Sequence, residues 1–262
     1  AEVIRFGCLG SGSSGNCLVV EVREQQHTTR VLLDCGFPLR DAVARLARLD
    51  IEPESIDAVL VTHEHSDHVG GVFRFAARYR IRVFITHGTL SACSAGASCS
   101  ELTRVIDSHQ AFSIDAVHVE PFPVPHDARE PVQFVFSDGV HKLGVLTDTG
   151  HATPHIVRML SGVDALVLEC NHDLDMLQAG SYPPSLKRRI ASPYGHLDNA
   201  AAADLLGSLD RSRLRHLVAA HLSQQNNSPD RARSALARAA ACDETWIGVA
   251  DQASGFDWRQ LR

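Results

Sequence analysis

The chain has 262 residues, 44 % hydrophobic and 21 % charged, with a net charge of −6 when histidines are neutral. That length supports an ample core, and the composition excludes a disordered or disulfide-stapled chain. The negative balance argues weakly against a nucleic-acid partner, but two bound divalent ions would add about four positive charges where a phosphate sits.

No apolar run approaches the ~18 residues that suggest a membrane helix. Ala1 to Phe6 enters a strand pattern with no basic and apolar leader before it. The seven cysteines are odd in number and form no C-x-x-C. These features together predict a reduced, cytoplasmic protein with no membrane partner.

Taken in order, Val3 to Leu9 and Cys17 to Val22 read as strands around the glycine-serine turn Gly10 to Asn16. A phosphate loop would need Gly-Lys-Ser/Thr and a following helix, so the turn reads as a hairpin tip, either plain or facing a site. Arg30 to Phe37 reads as a strand ending in a turn, and Pro38 to Leu49 as a helix with Leu39, Val43, Leu46 and Leu49 on one face. Ile56 to Val61 is a buried strand. It runs into Thr62-His63-Glu64-His65-Ser66-Asp67-His68-Val69-Gly70-Gly71, and Val72 to Tyr79 is helical.

Arg82 to Ile85 is a short strand, and Thr86 to Ala97 a helix and turn. Leu102 to Pro125 is β-rich and ends at His126. Val132–Phe136 and Val140–Leu146 form a hairpin around Asp138-Gly139 and end at Asp148. Helices are expected at Thr153 to Leu160, Ser185 to Ala191, Ala200 to Leu209 (capped by Asp198) and Asp230 to Ala241. Strands are expected at Asp164–Leu168, Leu214–Ala219 ending at His221, Thr245–Val249 and Gly255–Trp258. With no linker or repeat, residues 1–262 are expected to form one α/β domain: two mixed sheets with helices outside.

The chemistry concentrates at strand ends. His63 and His65 are two apart, so an extended loop points both at one ion. Asp67 and His68 lie just past the turn, within reach of a second, and Glu64 should point away. His126, Asp148 and His221 follow later strands, giving seven ligands for two ions with Asp148 shared. Imidazole and carboxylate suit zinc, manganese or iron.

Order and spacing resemble the metallo-β-lactamase fold, an αββα sandwich whose ligands run H-x-H-x-D-H, His, Asp, His. A narrower resemblance is to the YycJ/WalJ family of metallohydrolases. It rests on Leu9 to Asn16, Leu33-Asp34-Cys35-Gly36, Thr62 to His68, Pro125 to Ala128, Thr147 to Gly150, Asn171-His172-Asp173, Leu186 to Ile190, Gly195-His196-Leu197 and His221-Leu222-Ser223. The resemblance implies a cytoplasmic 5′-to-3′ exonuclease on duplex DNA, linked to mismatch repair. The chain is too short for the large inserted (β-CASP) domain of RNase J-type enzymes.

Two-ion phosphodiester chemistry agrees: the ions generate hydroxide and clamp both oxygens of an in-line displacement. On this reading Asp67 orients the nucleophile and His196 protonates the leaving oxygen. Lys187, Arg188 and Arg189 are candidates for phosphates. Asn16, Asn171, Asn226 and Asn227 are weaker candidates for phosphate or supporting contacts. A phosphodiesterase for cyclic phosphates or nucleotides is the alternative enzyme, and a metal-stabilised DNA-binding module the non-enzymatic one.

Overall fold

The structure, a computed structural model, describes residues 3–93 and 99–262. Its strands are β1 (Val3–Gly10), β2 (Cys17–Glu24), β3 (His27–Leu33), β4 (Ala58–Leu60), β5 (Arg82–Thr86), β6 (Thr103–Ile106), β7 (Phe112–Ile114), β8 (Val117–Pro123), β9 (Val132–Ser137), β10 (Lys142–Leu146), β11 (Ala165–Glu169), β12 (His216–Ala220), β13 (Gly248–Val249) and β14 (Phe256–Leu261). Its helices are α1 (Leu39–Ala47), α2 (Ser66–Val69), α3 (Val72–Tyr79), α4 (His87–Ala92), α5 (Pro154–Leu160), α6 (Leu174–Ala179), α7 (Pro184–Ile190), α8 (Asn199–Ser208) and α9 (Pro229–Ala240).

Two seven-stranded sheets form, ordered β14-β1-β2-β3-β4-β5-β6 and β13-β12-β11-β10-β9-β8-β7. Each is mixed. Its antiparallel part comes from hairpins (β1-β2-β3 and β7-β8-β9-β10) and its parallel part from crossovers (β3-β4-β5-β6 and β10-β11-β12-β13).

Both faces of each sheet are covered, so the central strands are nearly continuous apolar runs. Along β2 the period of two sends Leu18, Val20 and Val22 between the sheets, with Phe134, Phe136, Val145 and Val167. Cys17 and Val19 go outward to α1 and α3, where Leu46 and Phe75 cover them. Ile156, Leu205 and Leu236 of α5, α8 and α9 cover the outer face of the second sheet. This is the αββα sandwich.

Topology then sets where chemistry can sit. Within the first sheet β1, β3 and β4 run the same way; so do β8, β10, β11 and β12 in the second. The segments leaving them, which begin near residues 11, 34, 61, 124, 147, 170 and 221, meet at one rim. Loops at that end of an α/β sheet are the standard location of a site.

Several boundaries differ from the sequence reading. The third strand begins at His27 and ends at Leu33, because Asp34 turns into the left-handed region at φ 61. The β-rich stretch after Leu102 splits between sheets, β6 closing the first and β7 opening the second. The strand expected over Thr245 to Val249 shrinks to Gly248–Val249, because Glu244–Trp246 is a 3-10 turn set by Asp243, whose carboxylate accepts from Thr245 N at 2.8 Å. α6 was not anticipated; Asp173 caps it by accepting from Met176 N. Asp198 caps α8 as expected, accepting from Ala200 N and Ala201 N. The turn expected to reach Ala97 falls on residues 94–98, outside the described ones. Among the described residues no helix is long and apolar enough to cross a membrane.

Candidate metal centre

The histidine-rich segment is more than a loop: Ser66 to Val69 forms one helical turn, α2. His65, just before it, is extended (φ −61, ψ 143), so His63 and His65 face one way while the turn swings Asp67 and His68 beside them. Gly36 lets the chain after β3 press on this turn, since a Cβ there would run into the Asp67 carbonyl. Cys35 N donates to His68 O at 2.9 Å and Asn16 N to Asp67 O at 2.8 Å. The Gly10–Asn16 hairpin tip therefore abuts the centre. Asn16 Nδ2 lies 3.3 Å from Asp67 Oδ2 and 3.2 Å from His68 Nε2.

The seven strand-end side chains converge. His63 Nε2 and His126 Nε2 lie 3.0 and 3.3 Å from His65 Nδ1. Asp67 Oδ2 lies 3.4 Å from His68 Nε2 and 3.3 Å from His221 Nε2. Asp148 stands between the trios. Its Oδ2 is 3.3 Å from His68 Nε2, and its Oδ1 is 3.9 and 3.6 Å from His126 Nε2 and His221 Nε2.

These atoms suit a metal and not each other. Zinc–nitrogen bonds near 2.0–2.1 Å put adjacent tetrahedral ligands roughly 3.3–3.4 Å apart, and the separations here, 3.0 to 3.9 Å, bracket that value. Asp148 Oδ2 is buried with no hydrogen-bond partner, an orphan that a cation would satisfy.

The outer ring nitrogens fix the tautomers. His63 Nδ1 lies 2.9 Å from Thr62 Oγ1, which itself donates to Asp34 Oδ2 at 2.8 Å. His68 Nδ1 donates to Asp34 Oδ2 at 2.8 Å, and His126 Nδ1 to the Gly195 carbonyl at 2.9 Å. His65 Nε2 turns to the Asp127 carbonyl at 3.2 Å. With those protons directed outward, the inner nitrogens present lone pairs to the centre. Asn171 Nδ2 lies 3.2 Å from His221 Nδ1 and donates to the His221 carbonyl at 3.1 Å. His221 itself holds a left-handed backbone, φ 55, which its N–H bond to Ser11 Oγ at 2.9 Å helps to fix.

Electrostatics supports the same division. Burial lowers the pKa of His63 well below its usual value and that of His126 to about 4, so both rings are neutral, as a metal ligand must be. Burial also works against a charged His68, but Asp148 and Asp34 outweigh it and raise its pKa well above normal. This is the signature of a field that attracts cations. Asp148 and Asp67 stay ionised: burial opposes their charge, and the surrounding histidines overcome it. Asp34→Asn keeps the size and should weaken metal affinity at the His68 subsite by about 10–100-fold, as loss of an orienting partner does. Competition against a chelating dye measures it; unchanged affinity would mean that Asp34 does not orient His68.

A second pair extends the centre. His196 Nδ1 donates to Glu169 Oε1 at 2.6 Å and lies 3.6 Å from Asp148 Oδ1. Glu169 is fully buried and also accepts from Thr149 N at 3.0 Å and Leu197 N at 3.2 Å. Burial disfavours the charged ring, yet Glu169 outweighs it and raises His196 to about 9. Burial likewise raises the pKa of Glu169. The sequence reading overlooked Glu169, although it follows the apolar run Leu166-Val167-Leu168 just as Asp148 follows its own.

The remaining candidates separate. A cleft of about 260 Å³ opens on the centre, lined by Asp67, Asp148, Asn171, Arg189, His196 and His221 among others. Arg189 pairs there with Asp127 at 2.5 Å. Lys187 and Arg188 do not line it; Lys187 Nζ donates to Gln178 O at 2.6 Å. Asn226 and Asn227 are buried in structural bonds, Asn226 N to Ser223 Oγ and Asn227 Nδ2 to Cys170 O and Asn199 Oδ1. Glu64 points away as expected, accepting from Arg129 N at 2.7 Å.

Fold and site together define a metallo-β-lactamase-type hydrolase. The model of the beta-lactamase superfamily domain matches residues 29–221. The chain is 32 % identical over 250 residues to exodeoxyribonuclease YycJ of Bacillus anthracis, covering 95 % of this chain and 92 % of that one. It is 30 % identical over 249 residues to exodeoxyribonuclease WalJ of Streptococcus pneumoniae, covering 94 % and 91 %. Among solved structures it resembles the metallo-β-lactamase fold protein YhfI of Bacillus subtilis, with TM-score 0.73, 14 % identity and 100 % of both chains covered. The chain belongs to the beta-lactamase superfamily, and within it to the YycJ/WalJ family.

Proposed function

We propose that the protein is a phosphodiesterase with two divalent ions that digests duplex DNA from 5′ ends in the cytoplasm, in DNA repair. We further propose that residues 1–262 act as one domain without an inserted module. The observation that carries the reading is the convergence of His63, His65, Asp67, His68, His126, Asp148 and His221, two adjoining donor trios with Asp148 beside both. The names of the YycJ and WalJ relatives support DNA as substrate, and the free thiols suit a reducing compartment.

His63, His65 and His126 would hold one ion, Asp67, His68 and His221 the other, and Asp148 both; zinc, manganese and iron all suit this donor set. Bound there, such ions supply Lewis acidity at phosphorus and activate water at neutral pH. The chain's own residues do the rest. Asp67 accepts a hydrogen bond from the attacking water and aims it. Arg189 exchanges Asp127 for a phosphate oxygen. His196, charged through Glu169, gives its Nε2 proton to the leaving oxygen.

The test is manganese-loaded protein on 5′-labelled duplex DNA, beside Asp67→Ala. Loss of label as nucleotides from 5′ ends, reduced roughly 10³-fold in the variant, is expected. Cleavage of small diesters with duplex untouched would favour the cyclic-phosphate or nucleotide alternative. Metal binding with no hydrolysis would favour the DNA-binding module.

A further inference from the structure

The cleft has an apolar wall that the metal chemistry leaves unused. Tyr182, Leu186 and Ile190 line it together with Asp67, Asp148 and His221. Leu186 and Ile190 are one turn apart on α7 and share a face with each other. α7 has no buried residue, so its apolar side chains do not anchor it in a core. Polar bonds hold it instead: Lys187 Nζ to Gln178 O, and Arg189 Nε to Asp127 Oδ2. The chain then returns to the centre, with His196 N donating to Ile190 O at 2.9 Å. A helix whose half-buried apolar residues face a cavity is built to cover something that enters it.

At about 260 Å³ the cleft is just below the size of ordinary small-ligand pockets, roughly 300–1,000 Å³. That is room for one nucleotide unit and not for a duplex. Arg189, the one arginine or lysine among the described lining residues, sits on the same helix three residues past Leu186. Phosphate at Arg189 and the centre would carry a flat base toward Tyr182.

We propose, on the phosphodiesterase reading above, that Tyr182, backed by Leu186 and Ile190, is a stacking subsite for the base of one unpaired nucleotide at a strand end. The subsite takes any base, because each has a π-face and stacking on an aromatic ring is sequence-tolerant. A duplex end must therefore fray by one pair before it is cut.

The experiment compares two diesters, thymidine 5′-(p-nitrophenyl phosphate), which carries a base, and methyl p-nitrophenyl phosphate, which does not. The manganese-loaded full chain is assayed as wild type, Tyr182→Phe, Tyr182→Leu and Tyr182→Ala. Stacking of this kind is worth roughly 5- to 150-fold on alanine substitution. The ratio of kcat/KM for the two diesters should fall about tenfold in Tyr182→Ala and Tyr182→Leu, and stay within about twofold of wild type in Tyr182→Phe. Calorimetric titration of the same proteins with thymidine 5′-monophosphate should show the same order in Kd. An unchanged ratio in Tyr182→Ala, or an equal loss in Tyr182→Phe, overturns the stacking subsite and leaves the phosphodiesterase reading standing. If the wild type hydrolyses neither diester, both fall. Thermal melts separate a folding defect from either result.

Discussion

Asp148→Ala should lower phosphodiester hydrolysis by at least roughly 10³-fold, and should lower metal occupancy as well. Asp148 is the side chain that stands beside both donor trios: Oδ2 faces His68, and Oδ1 faces His126 and His221. It is fully buried, and its carboxylate, with that of Asp34, raises the His68 pKa against burial, the mark of a site that attracts cations. Removing it leaves five imidazoles and Asp67 around a site short of one anion. The loss should exceed that of Asp67→Asn, which strips one trio only. Plasma mass spectrometry on dialysed protein, beside diester turnover, reads both effects. A variant that keeps full metal content with normal turnover would show that Asp148 bridges nothing.

The second large effect is expected at Glu169 and His196. His196→Ala should lower kcat by about 10²–10⁴-fold, the usual span of general acid catalysis, while metal content stays near wild type. Glu169→Gln should act through His196 and lower kcat less. Its diagnostic is the pH profile. Glu169 raises the His196 pKa, and the acid works only while protonated, so activity falls as pH climbs through that pKa. Deleting the carboxylate charge removes the interaction that raises it. The alkaline limb of kcat in Glu169→Gln should therefore move to lower pH. A limb that stays in place would mean that Glu169 merely shapes the loop through Thr149 N and Leu197 N.

Much of this centre is legible in the chain because its candidate ligands obey one local rule: a polar side chain directly after, or soon after, a buried apolar run. His126, Asp148 and His221 follow it, and the dense His63 to His68 segment gives the rest. Asp34 and Glu169 follow it too, after Val31-Leu32-Leu33 and Leu166-Val167-Leu168. Their roles depend on partners far away in sequence, His68 and His196, so spacing alone does not assign them.

The basic triplet shows the opposite case. Lys187, Arg188 and Arg189 look alike in sequence, but 3.6 residues per turn send them to different sides of α7, and Arg189 alone reaches the cleft. Asn226 and Asn227 read in sequence as weaker candidates for phosphate or supporting contacts. Tertiary bonds to Ser223, Cys170 and Asn199 bury them. The two-sheet layering could be read from two β-rich halves each followed by helices, and the αββα order from the family resemblance. The pairing of β14 with β1, which closes the first sheet between opposite ends of the chain, has no local signal.

The most direct measurement is the number of divalent ions the wild-type chain binds, by calorimetric titration of metal-free protein with manganese or zinc while diester turnover is followed. Two sites per chain, with turnover appearing only as the second fills, is the predicted result. Full turnover with a single ion bound would contradict a shared centre built on Asp148.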